Sequence, residues 1–356
     1  MPAAPKHNPS VDSTAGRVLA FLSVTPGAYV SGGAMSEALG LSRVAIWKQV
    51  RALRAQGCRI DAAPRRGYRL TAPPDMPTAA AVGASLHTRV LGRALLFVPE
   101  TESTNRLLRQ RAAAGAAEGL TVVADRQTGG RGRMGRTWFS PAGVNLYVSI
   151  LLRPAVGLEC IPTLPLLIGA VTARVLERAA PGLVVDIKWP NDLHAGGRKL
   201  GGILCEMAAE TDGVSHVVVG IGLNVNLRRE DLPRALAARA TSLARETGRS
   251  FSRAMLLAAL LDALEADYAT WCAQGLAPFL AQLAARDALR GKPVRIEQAG
   301  RTVTGLAHGI QADGTLALLQ ADGTRLAICS GDAHLATSPT RAPAEGRCGP
   351  REWRRA

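Results

Sequence analysis

Between residues 12 and 70 the apolar positions repeat with helical spacing and then change to strand spacing. Val18, Leu19 and Leu22 share one face of a helix that Asp12 or Ser13 can cap. Ser31 opens a second helix through Leu39, and Gly40 suits its left-handed stop. Ser42 caps a third helix to Gln56, where Ile46, Val50 and Leu53 recur at i, i+4 and i+7 as one buried stripe. The short Gly40-Leu41 turn between the last two predicts a helix-turn-helix. Cys58–Leu70 reads as a two-stranded wing with Pro64-Arg65-Arg66-Gly67 at its tip.

Residues 71–78 hold three prolines and no periodicity and read as a linker, with Thr78 placed to cap the next helix. Over 79–287 apolar strand-length runs alternate with helical patterns. Strands are expected at Ala94–Val98, Leu120–Asp125, Leu146–Leu152, Val184–Lys188, Ile203–Met207 and His216–Asn224. Helices are expected at Thr104–Ala114, Leu164–Arg178 and Arg253–Cys272. Short connections late in this segment favour a mixed sheet backed by helices over a doubly wound one. Four short strands fill 288–337, with hairpin turns at Asp313-Gly314 and Asp322-Gly323, and suggest a small barrel. Residues 338–356 carry many charges and little apolar content, and are expected to be disordered. The class is α/β: an N-terminal winged helix-turn-helix, a central mixed sheet with helices, and a small C-terminal β-barrel.

Composition narrows the function classes. A chain of 356 residues with 47% hydrophobic content has room for two or three cored domains. No uninterrupted run of about eighteen apolar residues predicts a membrane span. The N-terminus lacks an apolar signal core, and six scattered cysteines form no C-x-x-C pair; a reduced, cytoplasmic protein is expected. The net charge of +15 favours an anionic partner. Residues 1–72 hold ten basic and three acidic residues. Either this unit has a solvated charged face, or Ser42, Arg43, Trp47, Lys48 and Arg51 on the third helix, with Arg65 and Arg66 on the wing, contact DNA; the coincidence of motif and charge favours DNA.

The chemistry-bearing residues cluster in five places. Gly130-Arg131-Gly132-Arg133-Met134-Gly135-Arg136-Thr137-Trp138 alternates glycines, which let backbone approach an anion, with permanently charged guanidinium forks. It is either a basic surface loop or, pinned between Gln127 and Trp138-Phe139, a lid over a pocket. Ser103-Thr104-Asn105 opens a helix, as a simple cap or as a polar ligand site. Lys188-Trp189-Pro190-Asn191-Asp192 is a strand ending in a turn, or a cluster suited to a triphosphate and its Mg²⁺, with Asp192 as the metal ligand. Lys199 precedes Gly201-Gly202, and Gly220-x-Gly222-x-Asn224 closes another strand; paired glycines invite close packing of something against them.

In this order, the motifs S-T-N, Q-x-x-G-R-G-R-x-G-R-x-W, K-W-P-N-D, R-K-L-x-G-I-L and G-x-N resemble those of the biotin protein ligase family, and the N-terminal unit resembles its bifunctional members, which also repress biotin synthesis genes. The resemblance spans about residues 15–337. It implies a central domain like those of class II aminoacyl-tRNA synthetases and biotin ligases, and an SH3-like C-terminal barrel. It implies formation of biotinyl-5′-AMP from biotin and ATP, then transfer of biotin to one lysine of a biotin carboxyl-carrier protein or domain, such as that of acetyl-CoA carboxylase. On this resemblance Ser103, Thr104, Asn105, Gln127, the Gly130–Arg133 loop with Met134, Lys199, Gly202 and Gly222 belong to the biotin side. Arg133, Arg136, Trp138, Lys188, Asn191, Asp192 and Asn224 belong to the ATP and Mg²⁺ side, and Arg133, Lys188 and Lys199 carry the catalysis. Trp138 is expected against adenine, and Gly202 and Gly222 to leave room for the biotin rings. Gly129 departs from the alanine usual in the family. A homodimer that forms with adenylate bound would present two recognition helices to operator DNA. Two rivals are a lipoate-type ligase and a metabolite-sensing regulator without ligase activity.

Overall fold

The computed structural model describes residues 13–336 apart from Pro26, Pro73, 211–212 and 299–300, together with the backbone of Arg354–Arg355. The first unit has helices α1 (Thr14–Val24), α2 (Gly32–Leu39) and α3 (Arg43–Ala55), then the hairpin β1 (Ile60–Ala63) and β2 (Gly67–Leu70). Ser13, Ser31 and Ser42 each cap as their sequence positions predict, their hydroxyls accepting from Gly16, Ala34 and Ala45 backbone N–H at 3.1, 3.0 and 3.1 Å. Each such cap stabilises its helix by about 1 kcal/mol. Gly40 takes φ +65° at the end of α2. Val18, Leu19, Leu22, Met35, Ile46, Val50 and Leu53 make the buried core.

The central sheet is seven-stranded: β3 (Leu95–Thr101), β4 (Thr121–Gln127), β5 (Leu146–Leu152), β6 (Asp186–Lys188), β7 (Asp192–Ala195), β8 (Arg198–Glu210) and β9 (Gly213–Leu223). Its order is β3-β4-β5-β9-β8-β7-β6, and only the β3–β4 pair is parallel. The mixed sheet is therefore as expected, but two boundaries shift. Val184 is exposed and outside the sheet, and β6 begins at Asp186. Asp192, read as a turn residue, and the Arg198–Gly202 segment, left outside the strand expected at Ile203–Met207, are strands of a hairpin whose turn is Gly196-Gly197, both at positive φ. Gly201 pairs with Leu193 and Leu223, and glycine suits it because a Cβ there would sit 3.0 Å from the Gly222 carbonyl oxygen.

Helix α4 (Ala79–Gly83) starts the unit, with Thr78 as its cap. Helix α5 (Thr104–Ala113) packs on β4, β5 and β9. Helix α6 (Leu164–Ala179) packs against the sheet and against α9 (Arg253–Gln274). Short helices α7 (Arg234–Ala237), α8 (Leu243–Thr247) and α10 (Leu280–Arg286) complete it. The stretch Leu158–Ala179 is long and apolar enough to cross a bilayer by length and composition, although charged and polar residues interrupt it; here 67% of its most apolar window is buried inside the fold, as in a core helix.

Residues 293–335 form β10 (Pro293–Gln298), β11 (Arg301–Ile310), β12 (Leu316–Leu319), β13 (Arg325–Ile328) and β14 (Asp332–Leu335). Asp313-Gly314 and Asp322-Gly323 make the predicted turns, with glycine φ of +79° and +85°. The ladder is the antiparallel run β14-β10-β11-β12-β13, extended by the parallel two-residue β15 (Arg354–Arg355). No pairing closes its two ends among the described residues, so the expected barrel is observed as a sheet. The rest of the tail expected to be disordered, 338–353 and 356, lies outside the described residues. Trp189, 2% exposed, joins this unit to the central one by donating its indole N–H to the Gly314 carbonyl at 2.9 Å.

Candidate active site

One register row crosses five strands. Lys188 pairs with Asp192, Asp192 with Gly202, Gly202 with Gly222, and Gly222 with Tyr147. The next row on the same face holds Leu204, Gly220 and Ser149. Paired strands align such residues within a few ångströms. Where the row carries glycine no side chain covers the sheet, and a cavity of about 320 Å³ lies there. That is the size range of a small-ligand site.

Ser103, Thr104, Asn105, Gln127, Arg131, Gly132, Arg133, Arg136, Trp138, Asn191, Asp192, Lys199, Gly202, Gly222 and Asn224 all line this cavity. The sequence had placed them in five separate motifs. Gly130, Met134 and Lys188 do not line it. Gly130 is packed beneath the loop, where a Cβ would lie 2.6 Å from the Trp138 carbonyl oxygen. Met134 is 69% exposed at the loop tip with φ +54°. Lys188 stands beside the cavity on the edge strand β6, paired across the ladder with Asp192, and burial pulls its ammonium below the ordinary lysine value while Asp192 opposes that shift.

The N-terminus of α5 is built differently from the simple cap. Ser103 occupies the cap position but makes no capping bond with its side chain. Gln127 from β4 caps instead: its amide oxygen accepts from Thr104 N at 2.9 Å and from Thr104 Oγ1 at 3.1 Å. The Gln127 amide nitrogen donates to Ser140 Oγ at 3.1 Å, which in turn donates to the Trp138 carbonyl at 3.0 Å. Thus the helix start, the strand end and the root of the arginine loop are one network. The Asn105 amide is committed to the wall: its oxygen accepts from Ser149 Oγ at 2.6 Å, and its nitrogen donates to Glu206 Oε2 at 2.7 Å. Gly220 must be glycine for this, since a Cβ would meet Asn105 Oδ1 at 2.3 Å.

The arginine loop folds back on itself as a small hairpin. Gly132 N donates to the Arg136 carbonyl at 2.7 Å and Trp138 N to the Gly130 carbonyl at 2.9 Å. Arg133 donates to Asn191 Oδ1 at 3.3 Å, and burial draws its guanidinium below the ordinary arginine value. Arg136 reaches out of the central unit to the Asp332 carboxylate at the start of β14. Arg131 lies 3.6 Å from Glu102. At Gly129, where the family usually has alanine, a Cβ would meet the flexible Glu102 Cγ at 2.8 Å.

Lys199 is the centre of the polar wall. Its ammonium is 2.7 Å from Asp192 Oδ1 and 5.3 Å from the centroid of the Trp138 ring, over whose face it sits. Its backbone is held on both sides by the 239–241 segment, donating to Arg239 O at 2.8 Å and accepting from Thr241 N at 2.9 Å. Trp138 fills the space a side chain at Gly222 would need, with a Cβ there only 2.7 Å from the indole. Its indole N–H is buried and has no partner among the described residues. Asn224 is spent on the wall, donating to Thr241 O at 2.9 Å and accepting from Asn145 at 3.2 Å.

Sequence reasoning missed Tyr147, Leu227, Leu232, Leu236 and Arg239 as cavity residues, and Asp332 as the Arg136 partner. The last four cavity residues come from a segment with short helices and no motif, so only the tertiary path of the chain reveals them. Among the described residues no three His, Cys, Asp or Glu side chains gather as a metal site.

The nucleic-acid candidates lie on one unit. Ser42, Arg43, Trp47, Lys48, Arg51, Arg65 and Arg66 are all exposed. Arg51 stacks over Trp47 at 4.8 Å, and Arg66 over Tyr29 at 4.2 Å, which orders the wing tip.

A winged helix-turn-helix joined to a mixed sheet with a cation-lined cavity, and then to a small β-sheet unit, defines a class of ligand-activating proteins with a DNA-binding domain. Family models agree with each part: the biotin/lipoate A/B protein ligase family over 97–224, an HTH domain over 16–69, and the biotin protein ligase C-terminal domain over 290–335. The bifunctional ligase/repressor BirA of Bacillus subtilis is 38% identical over 307 residues, 86% of this chain and 94% of that protein. BirA of Escherichia coli is 34% identical over 297 residues, covering 83% and 90%. The structure of biotin protein ligase from Aquifex aeolicus in complex with biotin and ATP superimposes with a TM-score of 0.60 at 30% identity, covering 68% of this chain and 99% of that one. The chain belongs to the biotin protein ligase family, in the bifunctional ligase/repressor branch.

Proposed function

We propose that the protein joins biotin to ATP as biotinyl-5′-AMP with release of pyrophosphate, and passes the biotin to a lysine of a carboxyl-carrier protein or domain. The observation that carries this reading is the convergence of Arg133 and Arg136 from the arginine loop and Lys199 from β8 on one cavity, with Lys188 beside it on the edge strand β6. Biotin's carboxylate is ionised at neutral pH, so the first step needs no base. It needs the repulsion between one anion and the α-phosphate of another offset, which fixed cations accomplish in a sheltered site. The carboxylate oxygen bonds to the α-phosphorus, and the bond to the pyrophosphate oxygen breaks.

In this reading Ser103, whose hydroxyl caps nothing, Thr104, Gln127, Arg131 and Gly132 hold the biotin head group, and Lys199 meets its carboxylate. The unpaired Trp138 indole N–H finds its acceptor in the bound substrate. Arg133, Arg136, Lys188 and Asn191 face the phosphates. Asp192 offers one carboxylate, which fits a Mg²⁺ that arrives with ATP and takes its other ligands from phosphates and water, not a resident ion. In the second step the acceptor amine attacks the mixed anhydride and AMP leaves.

The exposed basic face of α3 and the wing support operator binding, and one winged domain per chain supports action as a homodimer on a two-fold site. The curated relatives named ligase/repressors favour this over the lipoate-type reading, and the complete set of cations favours catalysis over sensing alone. A pyrophosphate-release assay with ATP plus biotin or lipoate tests it: release is expected with biotin. Release with lipoate alone, or none with either, would overturn it.

A further inference from the structure

The segment read as a linker is fastened to the interior of the central unit. Pro74 O accepts from the Ser252 hydroxyl at 2.5 Å, and Asp75 O accepts from Ala254 N at 3.1 Å. The Asp75 carboxylate then takes Arg253 Nε at 2.9 Å and one terminal nitrogen at 2.6 Å. Arg253 is only 2% exposed at the start of α9. Its other terminal nitrogen donates to Asp125 Oδ1 at 2.8 Å and to the Asn145 carbonyl at 3.2 Å. One buried guanidinium thus holds three chain segments by a fork that no other side chain supplies.

Each segment leads to the cavity or to the DNA-binding unit. Asp125 lies two residues before Gln127, which caps α5 beside Ser103 and Thr104. Asn145 donates to Asn224 Oδ1 and accepts from Val225 N at 3.1 Å, and Asn224 lines the cavity. Asp75 follows the wing by five residues, and α4, which comes next, packs on both α1 and α9.

We propose that Arg253 is a positioning residue through which the attachment of the DNA-binding unit sets the geometry of the substrate cavity. The Asp75 end reports where the linker lies, and the Asp125 and Asn145 ends hold the two walls. This rests on the proposed function and on the resemblance that puts Asn224 on the ATP side and Gln127 on the biotin side. Loosening the Asp75 end lets both walls relax without removing any group that touches a substrate.

The test is pyrophosphate release by the full-length wild-type, Asp75→Ala and Arg253→Lys proteins, with KM for ATP and biotin and kcat measured well below each melting temperature. Asp75 is half-exposed in the linker, so its variant keeps the core intact. Asp75→Ala is expected to raise KM for ATP by about fivefold or more, the lower end of typical coupling between sites, with kcat less affected. Arg253→Lys, which keeps the charge but loses the fork, is expected to move the same constants in the same direction. Unchanged constants in Asp75→Ala, with a lowered melting temperature alone, would show a purely structural clamp and overturn the inference. Failure of the wild-type protein to release pyrophosphate would overturn the reading of the site, and this inference with it.

Discussion

Lys199 and Asp192 stand 2.7 Å apart on neighbouring strands, a pairing that keeps an ammonium inside a cavity before any substrate anion enters. Asp192 orients Lys199, and the 239–241 segment fixes its backbone. Removing the cation should cost transition-state stabilisation and little folding stability, since the pair is partly solvated. Lys199→Ala is therefore expected to slow pyrophosphate release by about a hundredfold or more, with an unchanged circular dichroism spectrum. Near-normal release would refute its role.

Arg136 joins the cavity loop to Asp332 on the C-terminal sheet, a polar tie between that sheet and the loop. Partly exposed pairs contribute about 0–1 kcal/mol to stability. Asp332→Ala should thus barely move the melting temperature, yet raise KM for ATP several-fold as Arg136 loses its anchor. An equal loss of stability and no change in KM would contradict this.

Lys188 is half-buried, and its ammonium is held below the ordinary lysine value by burial. The charged form serves the phosphates, so adenylation should fall as pH rises through that lowered value, earlier than an ordinary lysine would dictate. Linkage has the opposite sign for folding: between the folded and the ordinary value the unfolded chain binds the extra proton, so stability rises with pH over that window. Lys188→Arg should shift the alkaline limb of the rate profile upward. A profile that does not move would rule Lys188 out.

Gly222 lies beneath the Trp138 indole, where a Cβ would approach to 2.7 Å. Gly222→Ala should push the indole off the strand and disturb the stacked Lys199, with a cost of about 1–3 kcal/mol. The expected readout is a shifted tryptophan emission with weakened biotin binding by calorimetry. Wild-type binding would show that the wall can give way.

Arg66 is exposed at the wing tip and stacked on Tyr29. If it neutralises a phosphate, Arg66→Ala should reduce the slope of log affinity against log salt for operator DNA by about one, without altering sequence preference. An unchanged slope would place the wing off the DNA.

Much of this was readable in the chain. The caps at Ser13, Ser31 and Ser42, the stripe Ile46-Val50-Leu53 and the glycine turns are local chemistry, decided by neighbours a few residues away. The arginine loop and the strand-end lysine clusters also announced anion handling, because their residue types are costly to place together without a ligand. Local pattern misplaced β7 and the start of β8, since Asp192 and Gly201-Gly202 have turn-forming composition but sit in the ladder.

The tertiary structure alone decided which of those residues meet. Strand order placed Lys188, Asp192, Gly202, Gly222 and Tyr147 in one row, although 75 positions separate Tyr147 from Gly222 in sequence, because register is set by pairing with distant strands. It also turned Ser103 from a cap into a free hydroxyl, set Gln127 in its place, and made Arg253 the hub of a linker that composition alone describes as loose. Sequence fixes what each segment can do by itself; long-range contacts, which no local period encodes, fix which segments act together.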